Sequence, residues 1–203
     1  MVHRFHCRCG TVQGEVLQPR QGVRAACYCR DCQAYAHVLG EPGRVLDAAG
    51  GTEVVATQAP YVRFTAGTSS LACLSLSPRG LLRWYARCCA TPIANTPRDW
   101  RLPYVGLVHT GLGPVESLEG GFGPVQLRVN TQSARAAPPG GRGLRGWARF
   151  GGLVVRLLAA RLRGTYRASP FFDREGRPAV PVEVVPREKV EQARREVAAA
   201  IGP

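Results

Sequence analysis

Along the first two thirds of the chain, apolar positions come in short runs. Residues 11–17, 23–27, 52–57, 61–65, 71–76 and 81–85 are rich in β-branched, aromatic and leucine side chains and are bounded by Gly, Pro or Ser. This pattern predicts short strands separated by turns. Leu71, Cys73 and Ser75 alternate with Ala72, Leu74 and Leu76, and Pro78-Arg79-Gly80 leads straight into Leu81, which is a hairpin signature. Residues 31–39 (DCQAYAHVL) interrupt the strands with good helix formers. Gly40 follows them at the place where a left-handed residue stops a helix.

Further on the periodicity changes. Residues 111–124 (GLGPVESLEGGFGP) read as turns, and residues 133–146 (SARAAPPGGRGLRG) read as a low-complexity mobile linker. Residues 147–164 then predict a helix with Arg149, Arg156 and Arg163 seven apart on nearly one face, and Phe150, Val154, Leu157 and Leu158 elsewhere. Such a basic amphipathic helix can pack its apolar side on the strands, lie on an anionic membrane, or neutralise phosphates. Residues 187–201 repeat apolar positions at Val190, Ala193, Val197 and Ile201, with Glu191 four before Arg195, and predict a terminal surface helix. The organisation expected is a mainly β domain of short antiparallel strands over residues 1–127, followed by an Arg-rich linker and a mostly helical, basic C-terminal extension over residues 128–203.

Composition supports a packed core: 45% of the 203 residues are hydrophobic and 20% are charged, so the chain is globular and not disordered. The formal charge of +13 rests on 26 arginines and a single lysine, Lys189. So lopsided a ratio points to base-composition bias more than to selection for guanidinium geometry. The excess is local, because residues 128–167 carry nine arginines and no acid. The amino terminus, MVHRFHCRCG, lacks the apolar run of a secretory signal, and no segment approaches the ~18 apolar residues of a membrane span. Eight cysteines in 203 residues fall short of the ~8–10% of a secreted disulfide scaffold. A cytoplasmic location, where thiols stay reduced, is the expectation.

Seven of those cysteines are clustered, as Cys7-Arg8-Cys9, Cys27-Tyr28-Cys29-Arg30-Asp31-Cys32 and Cys88-Cys89. Zinc takes thiolates in pairs close in sequence on tight knuckles, with the rest delivered from a distant segment. Seven ligands divide as four plus three. A closed four-cysteine site is structural, whereas three protein ligands leave a position open for water or substrate. Cys7, Cys9, Cys88 and Cys89 are assigned to the closed site, which would clamp opposite ends of the β region. Cys27, Cys29 and Cys32 are assigned to an open, catalytic site at the start of the short helix, whose N-terminal N–H groups favour thiolates.

The order CxCG, CxCxxC, hairpin, then cysteine followed by Thr-Pro resembles the glutathione-dependent formaldehyde-activating enzyme and centromere-protein-V-like family. The matching stretches are Cys7-Arg8-Cys9-Gly10, residues 27–32, and residues 83–93 (RWYARCCATPI), and the resemblance spans roughly residues 5–110. It implies a β-tent fold and a structural zinc on the first and last cysteine groups. It also implies a second zinc on the central triad, where a glutathione thiol is handled by a carbon–sulfur lyase. Two positions depart from the family pattern, Ala86 in place of the first cysteine of a CxxC, and Ala90 where the family has glycine.

The remaining candidates read more plainly. Cys73 sits mid-strand as a core thiol. His37 and His109 read as packing or surface histidines ahead of proton shuttles, and His3 and His6 as substitutes for a missing ligand. Arg30 is placed to attract a substrate carboxylate and Asp31 to cap the helix. The expected function is therefore a zinc enzyme with two Zn²⁺ that adds a small, glutathione-like thiol to an aldehyde or cleaves the C–S adduct. The alternatives are a non-catalytic zinc scaffold, or a nucleic-acid or acidic-partner module using the basic 128–167 segment.

Overall fold

A computed structural model of the chain describes residues 2–139 and 144–200. Residues 140–143 of the expected linker, and the end of the terminal helix beyond residue 200, lie outside that description. The protein is mainly β. Strands β1 (Val2–His6), β2 (Gln13–Leu17) and β5 (Val62–Ala66) form a three-stranded antiparallel sheet in the order β1-β2-β5. The second sheet is built from β3 (Val23–Cys27), β4 (Thr52–Gln58), β6 (Leu71–Ser75), β7 (Leu82–Ala86), β8 (Thr91–Thr96) and β9 (Tyr104–Val108), with β10 (Leu127–Val129) and β11 (Val182–Val184) at its edges. Its order is β10-β3-β4-β9-β8-β7-β6-β11. The interior pairs are antiparallel, but β10 runs parallel to β3 and β11 parallel to β6. The expectation of antiparallel strands alone is thus corrected to a mixed sheet, because its edges are filled by segments arriving from far along the chain. The chain position between residues 127 and 128 falls inside β10.

All six strands read from the apolar runs are present, with small shifts at their ends. Helix α1 (Arg30–Val38) follows β3, and Gly40 beyond it takes φ 75, the left-handed conformation that glycine adopts without a Cβ clash. A short turn of helix, α2 (Pro42–Val45), comes next. The stretch read as turns between residues 111 and 124 instead contains α3 (Val115–Phe122), which follows Pro114 and buries Leu118 and Phe122. Helices α4 (Leu144–Leu162) and α5 (Arg187–Ala199) correspond to the two expected C-terminal helices. No helix among the described residues is long and apolar enough to cross a membrane.

The main core lies between the sheets around Trp84, which is fully buried and donates its indole N–H to Thr96 Oγ1 at 2.9 Å. Phe5, Leu82, Ile93, Leu107, Leu118 and Phe122 surround it. The late part of the chain completes this core, since Phe171 is fully buried with its ring centroid 5.1 Å from that of Trp84. Fully burying an aromatic side chain stabilises the fold by about 2–3 kcal/mol. α5 packs on α1 and β6, where Val190 is buried in one cluster with Tyr35 of α1 and Leu74 of β6. Near α4, Leu153 and Leu157 bury against Val23 and Ala56, while Arg149 and Arg156 donate to the carbonyls of Arg20 and Gln21.

Candidate metal centres

The strands bring the distant cysteine groups together. Cys7 and Cys9 lie on the loop leaving β1, and Cys88 and Cys89 on the loop between β7 and β8. Two tight turns shape the site, with Gly10 N–H donating to Cys7 O at 2.9 Å and Cys89 N–H donating to Ala86 O at 3.3 Å. Gly10 takes φ 76 and Ala90 takes φ 55, so both cysteine pairs are followed by a left-handed residue. Cys7 Sγ accepts the Val12 N–H at 3.2 Å, and the hydroxyls of Thr11 and Thr91 lie 3.2 and 3.1 Å from Cys9 and Cys89 Sγ. The Thr11 hydroxyl is the first of several contacts that lower the Cys9 thiol to about 6.

Sulfur spacing tests whether the group suits a metal. Tetrahedral thiolates at a Zn–S distance of about 2.3 Å stand about 3.8 Å apart. The observed separations are 3.5 Å for Cys7–Cys9, 3.8 Å for Cys7–Cys88, 3.3 Å for Cys9–Cys88 and 3.9 Å for Cys88–Cys89. All four sulfurs lie within 4.8 Å of one another. The cluster can hold a metal ion, and both adjacent cysteines belong to it.

The second group forms where β3 ends and α1 begins. Cys27 is the last residue of β3, Cys29 is the N-cap of α1, and Cys32 stands in its first turn. Cys29 Sγ accepts the Cys32 N–H at 3.3 Å, so a cysteine, and not Asp31, caps the helix. The three sulfurs again lie within 4.8 Å, with Cys27 and Cys32 3.8 Å apart. This cluster too can hold a metal ion. It opens into a cavity of about 270 Å³ whose wall includes Arg83, Asn95, Tyr104 and Asn130. Asp31 and Arg194 also line it and pair with each other at 2.9 Å.

Arg83 is the residue at this site that sequence reasoning missed. It is 3% exposed, its guanidinium stacks 4.9 Å from the Tyr35 ring centroid, and its Nη1 lies 3.8 Å from Cys32 Sγ and 3.1 Å from Asn95 Oδ1. The other buried arginine among the described residues, Arg24, is paired with Glu53 at 2.8 Å. Arg83 has no carboxylate partner among the described residues, and its guanidinium faces the Cys32 sulfur instead. Hydrogen bonds from Cys27 and Cys29, and then the charge of Arg83, pull the Cys32 thiol well below its ordinary range against the desolvation that opposes it. Asn130, held left-handed at φ 57, donates its Nδ2 to Cys27 Sγ at 3.4 Å. The sequence held one faint sign of this arrangement, a charged residue inside the apolar run 81–85.

Other expected residues fall elsewhere. Cys73 is 2% exposed in the main core, and burial pushes its thiol up to about 12. His37 faces α5, with Nδ1 2.9 Å from Glu196 Oε2. Arg30 is exposed and does not line the cavity. His3 Nε2 donates to Leu112 O and His6 Nδ1 to Cys7 O, and neither histidine belongs to the cysteine groups that could hold a metal among the described residues. A larger cleft, about 520 Å³, lies beside Cys89 and includes His6, His109, Arg8 and Arg44. Glu41 pairs with both of those arginines, which offsets one of their two positive charges.

Two sheets, a four-cysteine cluster and a three-cysteine cluster define a mainly β protein with two candidate metal centres. The chain belongs to the family of unknown function DUF6151, whose model matches residues 1–183. No curated protein matches it.

Proposed function

We propose that the chain is a zinc protein with a β-tent core, a divergent relative of the glutathione-dependent formaldehyde-activating and centromere-protein-V-like proteins. In this reading it adds a small thiol to an aldehyde, or cleaves the resulting carbon–sulfur adduct, at Cys27, Cys29 and Cys32. The observation that carries it is the division of seven clustered cysteines into four and three, with the three opening into a cavity. Cys7, Cys9, Cys88 and Cys89 hold a structural zinc, and the triad holds a second Zn²⁺ with one position left for the substrate. When bound, that ion supplies positive charge that keeps a substrate sulfur as thiolate.

The chain's own residues set the rest. Three thiolates around a divalent ion carry a net negative charge, and Arg83 against Cys32 offsets it. The side-chain amide of Asn95 gives its Oδ1 to Arg83 and keeps its N–H groups as donors. In the addition, a sulfur lone pair forms the S–C bond, the carbonyl π pair moves to oxygen, and that oxygen takes the proton the thiol released. Cleavage is the reverse. Free thiols at both centres suit a reducing compartment such as the cytoplasm.

Native mass spectrometry of the purified chain, with and without glutathione, tests this reading. Two zincs are expected, the second lost in Cys29→Ser, together with a glutathione adduct that needs the second zinc. A single zinc unaffected by Cys29→Ser overturns it. Two zincs with no thiol bound would leave a non-catalytic zinc scaffold as the function.

A further inference from the structure

Helix α4 carries an apolar face that no described residue covers. Trp147, Val154, Val155, Leu158 and Leu162 are 38% to 88% exposed. They make up half of the large hydrophobic residues that stand exposed among the described residues. At 3.6 residues per turn they fall within a sector of about 100°, and they run for about 22 Å along the helix. A different sector, Leu153 and Leu157, is buried against Val23 and Ala56. A third is tied down by Arg149 and Arg156, which donate to the carbonyls of Arg20 and Gln21. The helix is therefore fixed to the sheet with one side of it apolar and uncovered.

The charge around that stripe says what covers it. No acid occurs between residues 128 and 167, against nine arginines; the residues just after α4 place exposed Arg163 and Arg167 near Leu162, and Arg161 in the last turn is paired with Asp99 at 2.9 Å. A second copy docked face to face would set these arginines against their equivalents. A nucleic-acid backbone would satisfy the arginines and leave a row of valine and leucine without a partner. An anionic lipid surface satisfies both, because its acyl boundary takes the apolar stripe and its headgroups take guanidiniums that reach along it. Trp147 at one end of the stripe suits the headgroup level, where indole has an apolar body and a polar N–H.

We propose that α4 is an in-plane docking surface for an anionic membrane, with Trp147, Val154, Val155, Leu158 and Leu162 entering the bilayer interface. This holds whether or not the triad is catalytic.

The test is co-flotation of the full chain, as purified, with unilamellar vesicles of phosphatidylcholine with or without phosphatidylserine. Flotation is expected with the phosphatidylserine vesicles, weakening as salt rises, with a blue shift of tryptophan emission that Trp147→Phe removes. The double substitution Leu158→Glu/Leu162→Glu, at exposed positions, is expected to keep the circular dichroism melt and to lose at least roughly tenfold in vesicle affinity. Three results overturn the proposal. One is no flotation at low salt. Another is equal affinity in the double variant, which would make the contact purely electrostatic. The third is a dimer that the double substitution splits in the absence of vesicle binding.

Discussion

Arg83 Nη1 lies 3.8 Å from Cys32 Sγ, on a guanidinium that is buried and has no carboxylate partner among the described residues. A buried cation with no counter-charge is costly, so the pair is favourable only while the triad is anionic. Arg83→Met is therefore expected to weaken zinc retention at the triad by roughly 10–100-fold, the usual effect of removing a partner of a metal-bound side chain. The four-cysteine centre should be untouched. Arg83→Lys should restore part of the loss, since it keeps the charge without the bond to Asn95. Competition with a chromogenic chelator, with the two zincs counted separately by mass spectrometry, reads this out. Equal retention in parent and Arg83→Met would mean that the guanidinium is a packing group only.

The two kinds of cysteine predict opposite behaviour. Cys88 is exposed, yet its sulfur sits 3.3 Å from Cys9 and 3.8 Å from Cys7. If the four cysteines hold the proposed structural metal, Cys88→Ser should release it and cost on the order of several kcal/mol, because metal binding at such a site contributes to folding. Cys73 is buried, and Cys73→Ala should cost only about 1–2 kcal/mol and release no metal. Thermal melts with a zinc count distinguish them. A Cys88→Ser protein that keeps both its metal and its melting temperature would remove Cys88 from the ligand set.

What could be read from sequence was local. Six strands showed as apolar runs, and the cysteine spacing sorted seven cysteines into the two groups that the fold assembles. The missed strands lacked that signal. β1 has only Val2 and Phe5 as apolar residues, β8 carries Pro92 and Asn95 within it, β9 contains Gly106, and β10 and β11 are three residues each. The last two owe their conformation to parallel pairing with β3 and β6, about a hundred residues away, which no window of sequence reports. α3 was hidden by its glycines, although Pro114 and Glu116 mark its start. Arg83 was missed for a related reason. Both faces of β7 are covered, so alternation does not tell which side Arg83 occupies, and nothing near it in sequence points to Cys32.

Ala90 takes φ 55 immediately after Cys88-Cys89. The left-handed conformation costs a residue with a Cβ roughly 1–2 kcal/mol more than it costs glycine. Ala90→Gly relieves this but also gives the unfolded chain more freedom, worth roughly 0.4–1 kcal/mol in the other direction. The net expectation is a gain between about 0 and about 1.6 kcal/mol with an unchanged zinc count. A chemical denaturation series measures it, and a loss of stability would show that the Ala90 methyl group makes contacts that outweigh its strain.

His109 gives the fold a pH dependence whose sign can be worked out. Its Nδ1–H donates to the Glu53 carbonyl at 3.1 Å, and burial holds its pKa below the ordinary histidine value. The folded protein thus prefers the neutral ring. Above the unfolded value of about 6.5 both states are neutral and nothing is lost. As pH falls below about 6.5, the unfolded chain takes up a proton first, so stability declines until the folded ring also protonates. Thiolate protonation and metal release act in the same acid range, so a comparison with a non-titrating variant isolates the histidine. In His109→Asn the amide can donate the same bond without titrating. Urea unfolding from about pH 7 to about pH 5 should show the parent losing stability faster than the variant. Parallel curves would mean that His109 protonates as readily in the folded protein as in the unfolded chain.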